Sequence, residues 1–214
     1  LSPGASAQTT SRADRAFEAL ARRYIDQGAR LSPVSATGMG DHRFDNRVDD
    51  LSARGRNAGL RFSQQTLASL QRIDRSQLSR ANQVDAMLLD NALRADIWRT
   101  ETLQGWAWNP LGYQSVAGGA LYSLMAREFA PLPERLESAT ARMEQIPRVL
   151  RQAREELQPA RIPAPHAATY AAQNAGLKSI VTGMIEPHKG ELSASKRARL
   201  ERAIVAFNAA VDEH

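Results

Sequence analysis

Ser79-Arg80-Ala81-Asn82-Gln83-Val84-Asp85-Ala86-Met87-Leu88-Leu89-Asp90-Asn91-Ala92-Leu93-Arg94-Ala95-Asp96-Ile97-Trp98 is the stretch that decides the fold. Ser79 offers a hydroxyl to the amides of a first helical turn. Beyond it, Val84, Met87, Leu88, Asn91, Ala95 and Trp98 recur three and four apart, the period of an α-helix and not of a strand. The run predicts a helix of about six turns, carried on to Leu103. The same period extends outward on both sides. It predicts a helix over 13–29 through Phe17, Leu20, Ala21, Tyr24 and Ile25, and one capped by Ser52 reaching about Ile73 with Leu60, Leu67 and Leu70 inward. On the other side, Trp106 to Gly112 breaks the chain at Pro110, and a small-residue helix is expected from Ser115 to Phe129. Pro131 and Pro133 open a helix through Leu136, Met143 and Ile146, interrupted at Pro147 and resumed through Leu157. Two more follow, about His166 to Ile185 and Ser193 to the end. The expected fold is all-α, a multi-helix bundle or array of about seven or eight helices with no fixed-period repeat.

Composition agrees. The chain has 214 residues, 43% of them hydrophobic, enough to bury a core. Ala accounts for 36 of them while only 6% of the chain is aromatic, and long Val/Ile/Thr runs are missing, which argues against a β-sandwich or barrel. With no Cys, disulfides, thiolate nucleophiles, Cys-held zinc and iron–sulfur clusters are excluded, as is a diacylated Cys within this sequence. The 28 basic and 23 acidic residues are interspersed, which points to solvated helix faces and to no nucleic-acid partner. No apolar run approaches the ~20 residues of a spanning helix, so no transmembrane segment is expected.

Ala5-Ser6-Ala7 has the small-x-small form of a signal-peptidase site, so residues 1–12 are expected to be a disordered terminus left by an export signal. Residues 13–214 form the helical part. Its last apolar series, Leu200, Ile204, Phe207 and Val211, runs to His214 without a stop signal, and we expect a domain truncated there.

The chemistry-bearing residues are sparse. The four His (His42, His166, His188 and His214) include no pair spaced four apart, and Glu186-Pro187-His188 falls short of a ligand set. Were the chain to bind zinc alone, His42, His166 and His188 would be the ligands to change. The densest polar cluster, Gly40-Asp41-His42-Arg43-Phe44-Asp45-Asn46-Arg47-Val48-Asp49-Asp50-Leu51-Ser52, fails as a calcium loop because Asn46 and Ser52 stand where Gly and Glu are required. Its acids and arginines are expected to pair with one another, with Phe44 plugging the core. Use of that loop as a cleft rim is the functional alternative. Trp98, Trp106, Trp108, Tyr113 and Tyr122 are expected as core anchors, with an aromatic-lined pocket as the alternative. Lys196-Arg197-Ala198-Arg199-Leu200-Glu201-Arg202 is a basic run on the last helix. No phosphate-binding glycine loop or nucleophile elbow occurs, so no residue of this chain is assigned a catalytic, cofactor-binding or metal-binding role.

The ordered series as a whole resembles the opening of the bacterial DUF885 family. It comprises the Phe17…Tyr24 helix, Leu31-Ser32-Pro33…Ala36-Thr37…Gly40-Asp41-His42-Arg43-Phe44-Asp45, then Asp49-Asp50-Leu51-Ser52. Ile73-Asp74…Leu78-Ser79…Gln83-Val84-Asp85…Leu88-Leu89, Asn109-Pro110-Leu111 and Arg135-Leu136…Ile146-Pro147…Leu150 continue it. The resemblance implies a longer, mostly helical, often exported protein, similar to zinc metallopeptidases through a His-Glu-x-x-Pro-Gly-His-type motif in its C-terminal half. That motif does not occur in this sequence, so no family catalytic residue is carried over. Zinc is expected of a full-length relative, not of this piece. The implied partners are the C-terminal half and, in the whole protein, a peptide substrate; the implied location is periplasmic or secreted. The alternative is a self-contained helical binding module whose basic last helix meets an acidic partner.

Overall fold

A computed structural model describes residues 11–214. Eleven α-helices follow one another, nine of them nine residues or longer, and among the described residues there is no strand. They are α1 (Arg12–Leu31), α2 (Pro33–Gly38), α3 (Ala53–Gln71), α4 (Arg80–Trp98), α5 (Gly105–Trp108) and α6 (Pro110–Met125). After them come α7 (Leu132–Met143), α8 (Ile146–Glu156), α9 (Ala164–Asn174), α10 (Gly176–Met184) and α11 (Ala194–Glu213). The all-α expectation holds. The reading of residues 1–12 lies almost wholly outside the described residues; Ser11 already caps α1, its Oγ accepting from the Asp14 amide at 2.9 Å while Asp14 returns a bond to the Ser11 amide.

Local chemistry sets most boundaries. Ser52 and Ser79 are N-caps, accepting from the Gly55 and Asn82 amides. Pro110 opens α6 at its first position rather than keeping the helix away until Ser115, because a first-turn N–H has no intrahelical partner to lose. Its N-cap is Asn109, whose Oδ1 accepts from the Leu111 amide. The stretch expected as one helix from His166 to Ile185 is two, parted at Ala175.

Two apolar clusters result. The larger joins α6, α7, α8, α10 and α11 through residues such as Leu121, Leu136, Ile146, Val181 and Phe207. The smaller joins α1, α3 and α4 through Phe17, Leu20, Leu70, Ala86, Leu89 and Leu93. Asp14 ties the starts of α1 and α4, accepting from the Ser79 amide at 2.9 Å and from Asn82 Nδ2 at 2.7 Å.

The apolar stripe that announces α4 is not its buried face. Met87 and Leu88 are each 59% exposed and Trp98 52%, with Val84 and Leu103 also open, while Ala86, Leu89 and Leu93 face the core. The helix is apolar on two sides, and α1 and α3 cover one of them.

Charge inside the core is placed with care. Arg142 on α7 is fully buried. Its Nη1 donates to the Ala120 carbonyl at 2.9 Å, and its Nη2 to Thr37 Oγ1 at 2.6 Å and the Pro33 carbonyl at 3.2 Å. Thr37 in turn donates to Asp45 Oδ1 at 2.6 Å. Burial pulls the guanidinium down to about 10, against the pull of Asp45 and Asp49. Arg135, two turns earlier, donates to the carbonyls of Leu124, Met125 and Ala130 and so closes the C-terminus of α6.

Candidate functional site

The Gly40–Asp45 loop is fastened rather than open. Gly40 takes a φ of +92° that suits a residue without a Cβ. As expected, Arg43 pairs with Asp41 at 2.7 Å and also with Asp26 on α1 at 2.8 Å. Asp45 points inward to Thr37, and His42 Nδ1 sits 3.0 Å from its other oxygen while the imidazole stacks on Phe129 at 3.6 Å. Phe44 does not plug the core: it is half-buried, with Arg43 and Arg47 over its ring. The loop is a clamp between α2 and the α6–α7 corner.

The concavity lies one loop further on. Residues 49–52 cross the start of α3, and an open pocket of about 440 Å³ forms between this crossing, the end of α1 and the α5–α6 corner. That volume lies in the range of small-molecule sites. Close approach makes the crossing: a Cβ on Gly55 would stand 1.9 Å from the Asp50 carbonyl oxygen, so only glycine fits. At Gly59, Gly105 and Gly112, which line the same pocket, a Cβ would meet no atom within 4 Å. Side chains absent at these three positions leave the space free.

The walls are made by paired groups. The Arg56 guanidinium lies 3.8 Å from the Trp106 ring centroid and donates to Glu156 at 2.7 Å. The other Glu156 oxygen accepts from the Ala53 amide, at the positive end of α3. Asp49 is buried, which pushes its carboxyl up against the opposing bond from the Val34 amide. Asp50 is held by Ser52 and Gln152. Tyr113 donates from its hydroxyl to the Trp106 carbonyl at 2.7 Å, and burial raises it to about 12. The result is an indole floor with a stacked cation, two carboxylates at one end and Arg99 and Asn109 at the rim.

The rim is irregular. Residues Arg99–Leu103 form a π-helical turn continuing α4, closed by the Gln104 amide on the Arg99 carbonyl, and Gln104 takes a φ of 52°. Such turns cost conformational energy and recur at functional sites. Leu103 belongs both to this rim and to the exposed stripe of α4.

Of the aromatic residues singled out in sequence, Tyr113 is buried and Trp106 and Trp108 are half-buried with Nε1 bonded to the Thr100 and Leu103 carbonyls. Trp98 and Tyr122 are exposed, not anchors. The His do not converge: His166 meets Trp108 edge-on, His214 meets Tyr170 edge-on, and His188 lies on an exposed 3-10 turn. Among the described residues no three His, Cys, Asp or Glu side chains are grouped to hold a metal ion. Of the basic run on α11, Lys196 pairs with Glu137 and Arg199 with Glu144, holding α11 to α7. Arg56 and Arg142 were missed in sequence. The available signal was charge inside an apolar stripe, Arg142 between Ala139 and Met143.

The fold and pocket define an all-helical array whose concave site opens beside an uncovered helix face. The family model for bacterial proteins of unknown function (DUF885) matches residues 33–214, and the chain belongs to that family. It is similar to a solved structure described as "a putative lipoprotein of unknown function from Shewanella oneidensis", with a TM-score of 0.86 and 28% identity. The match covers 92% of this chain and 36% of that one, so the chain spans about a third of that neighbour's length. None of the curated proteins matches. Among the described residues no helix is long and apolar enough to cross a membrane.

Proposed function

We propose that this chain is the N-terminal helical scaffold of an exported, DUF885-type hydrolase, related in chemistry to zinc peptidases, and that it is inactive by itself. The observation that carries this reading is the apolar face of α4, where Met87, Leu88 and Trp98 lie in water. A stripe of that kind is what a surface looks like when its partner is elsewhere. The partner is the remainder of a longer chain, a reading supported by the nearly two thirds of the solved neighbour's length that lie outside the match. Leu103 joins the stripe to the pocket rim, so the segment that covers α4 also closes the pocket and turns it into one wall of a substrate cleft. The catalytic metal and its ligands are then supplied by that segment. Periplasmic or secreted placement is supported by the neighbour's description as a lipoprotein.

The test is to express the longest reading frame that contains this sequence beside residues 1–214, and to measure zinc content and hydrolysis of a peptide library in both. The long form is expected to hold about one zinc per chain, as single-metal sites do, and to be the active one. Stoichiometric zinc in the short form, or a frame that ends at His214, overturns the proposal.

A further inference from the structure

A second concavity, unrelated to the pocket above, runs between α1 and α3. It is an open groove of about 680 Å³ whose floor holds Tyr24 and Phe62, stacked with centroids 5.8 Å apart and planes 9° from parallel. Arg23 and Arg30 stand on one bank and Arg61 on the other. None of the three makes a hydrogen bond, ion pair or ring contact among the described residues, whereas most other arginines here are engaged. The carboxylate on the rim, Asp26, is taken by Arg43 at 2.8 Å. The groove therefore presents three uncompensated guanidinium groups over an aromatic floor. Gln27 and Gln65 add donors and acceptors along the banks.

We propose that this groove binds an extended acidic peptide segment. Charge fixes the sign of the occupant, because three unpaired cations along one cleft favour an anion over a neutral or cationic chain. Spacing fixes its form. Arg23 and Arg30 are seven residues apart, about 10 Å along the helix axis at 1.5 Å per residue. A lone phosphate or carboxylate reaches one of them at a time, whereas an extended chain covers about 10 Å in three residues and offers a carboxylate to each. Guanidinium groups pair with carboxylates through two parallel hydrogen bonds, and the side-chain amides of Gln27 and Gln65 suit the peptide backbone between them. This inference does not rest on the hydrolase reading. It also moves the acidic partner away from α11, where half of the basic run is spent on α7.

Fluorescence anisotropy of a fluorescein-labelled hexaglutamate peptide, titrated with the intact protein, tests it. Binding is expected, weakening as salt rises, and R23Q/R61Q is expected to weaken it tenfold or more. R197Q/R202Q on α11 removes the same net charge elsewhere and is expected to leave it within twofold. Equal losses from the two double variants would reduce the effect to net charge and overturn the proposal. So would displacement of the peptide by inorganic phosphate or by a thymidine oligonucleotide as readily as by unlabelled hexaglutamate, or the absence of binding.

Discussion

The two apolar clusters are closed to different degrees. Around α6, α7, α8, α10 and α11 the helices surround one another, and even a charged side chain, Arg142, is shut in with its partners. Around α1, α3 and α4 one helix keeps its inner face, with Leu93 fully buried, and shows the other to water. The contrast teaches that an apolar stripe announces a surface to be covered without saying by what. In the larger cluster the covering helix lies within the chain. For α4 only one of two apolar sides is met.

The largest way to break this contrast is at the sealed side. Arg142→Met removes the charge that Thr37, Pro33 and Ala120 are built around and takes the buried guanidinium away from Asp45, so a loss of about 3–5 kcal/mol is expected in urea unfolding. A loss below about 1 kcal/mol would mean that this part of the core is tolerant and not clamped. Next, two leucines of α4 compare its faces directly. Leu93→Ala is expected to cost about 2–5 kcal/mol, and Leu88→Ala to stay within about 0.5 kcal/mol, both by denaturant unfolding of residues 1–214. Equal costs would place both side chains in packing. If the proposed further segment covers α4, Leu88→Ala should cost more in a reading frame that includes that segment than in residues 1–214.

Gly55→Ala is a smaller, local perturbation. Its methyl would meet the Asp50 carbonyl, so the 49–52 crossing must move, at about 1–3 kcal/mol as for other overpacked sites. Trp106 fluorescence should change with it, because Arg56, one residue on, stacks on that ring. The smallest effect is in acid. Bonds from Asn82, Ser79 and Ser11 hold the Asp14 carboxyl well below the usual carboxylate range. The stability this gives is complete above the ordinary value of about 3.9 and is lost as pH falls through the depressed folded value. Between pH 5 and pH 3, as measured by urea midpoints, the wild type should lose more stability than Asp14→Asn does.

Most of the helices were legible because their signals are local. Ser52 and Ser79 act as caps where a hydroxyl precedes an apolar run, and the 3.6-residue period needs no partner to be seen. What escaped depends on distant residues. Pro110 reads equally as a stop or a start, and only the cap from Asn109 decides. Which side of α4 is inward depends on α1 and α3, and the pocket depends on residues near positions 31, 50, 56, 100 and 106 meeting across the fold. Arg56 and Arg142 looked like solvated charge because their partners, Glu156 and Thr37, lie 100 and 105 residues away along the chain.

That last separation has a kinetic side. The Arg142 contact closes a loop of more than a hundred residues, and the entropy of such closure is met before any of its bonds can form. The segment from Pro33 to Asp45 therefore cannot take its final place until α7 has been made and has docked on α6. On the ribosome, that segment waits for α7, whereas α1, α3 and α4, whose shared cluster uses no residue beyond Leu93, are free to pack as soon as α4 has emerged.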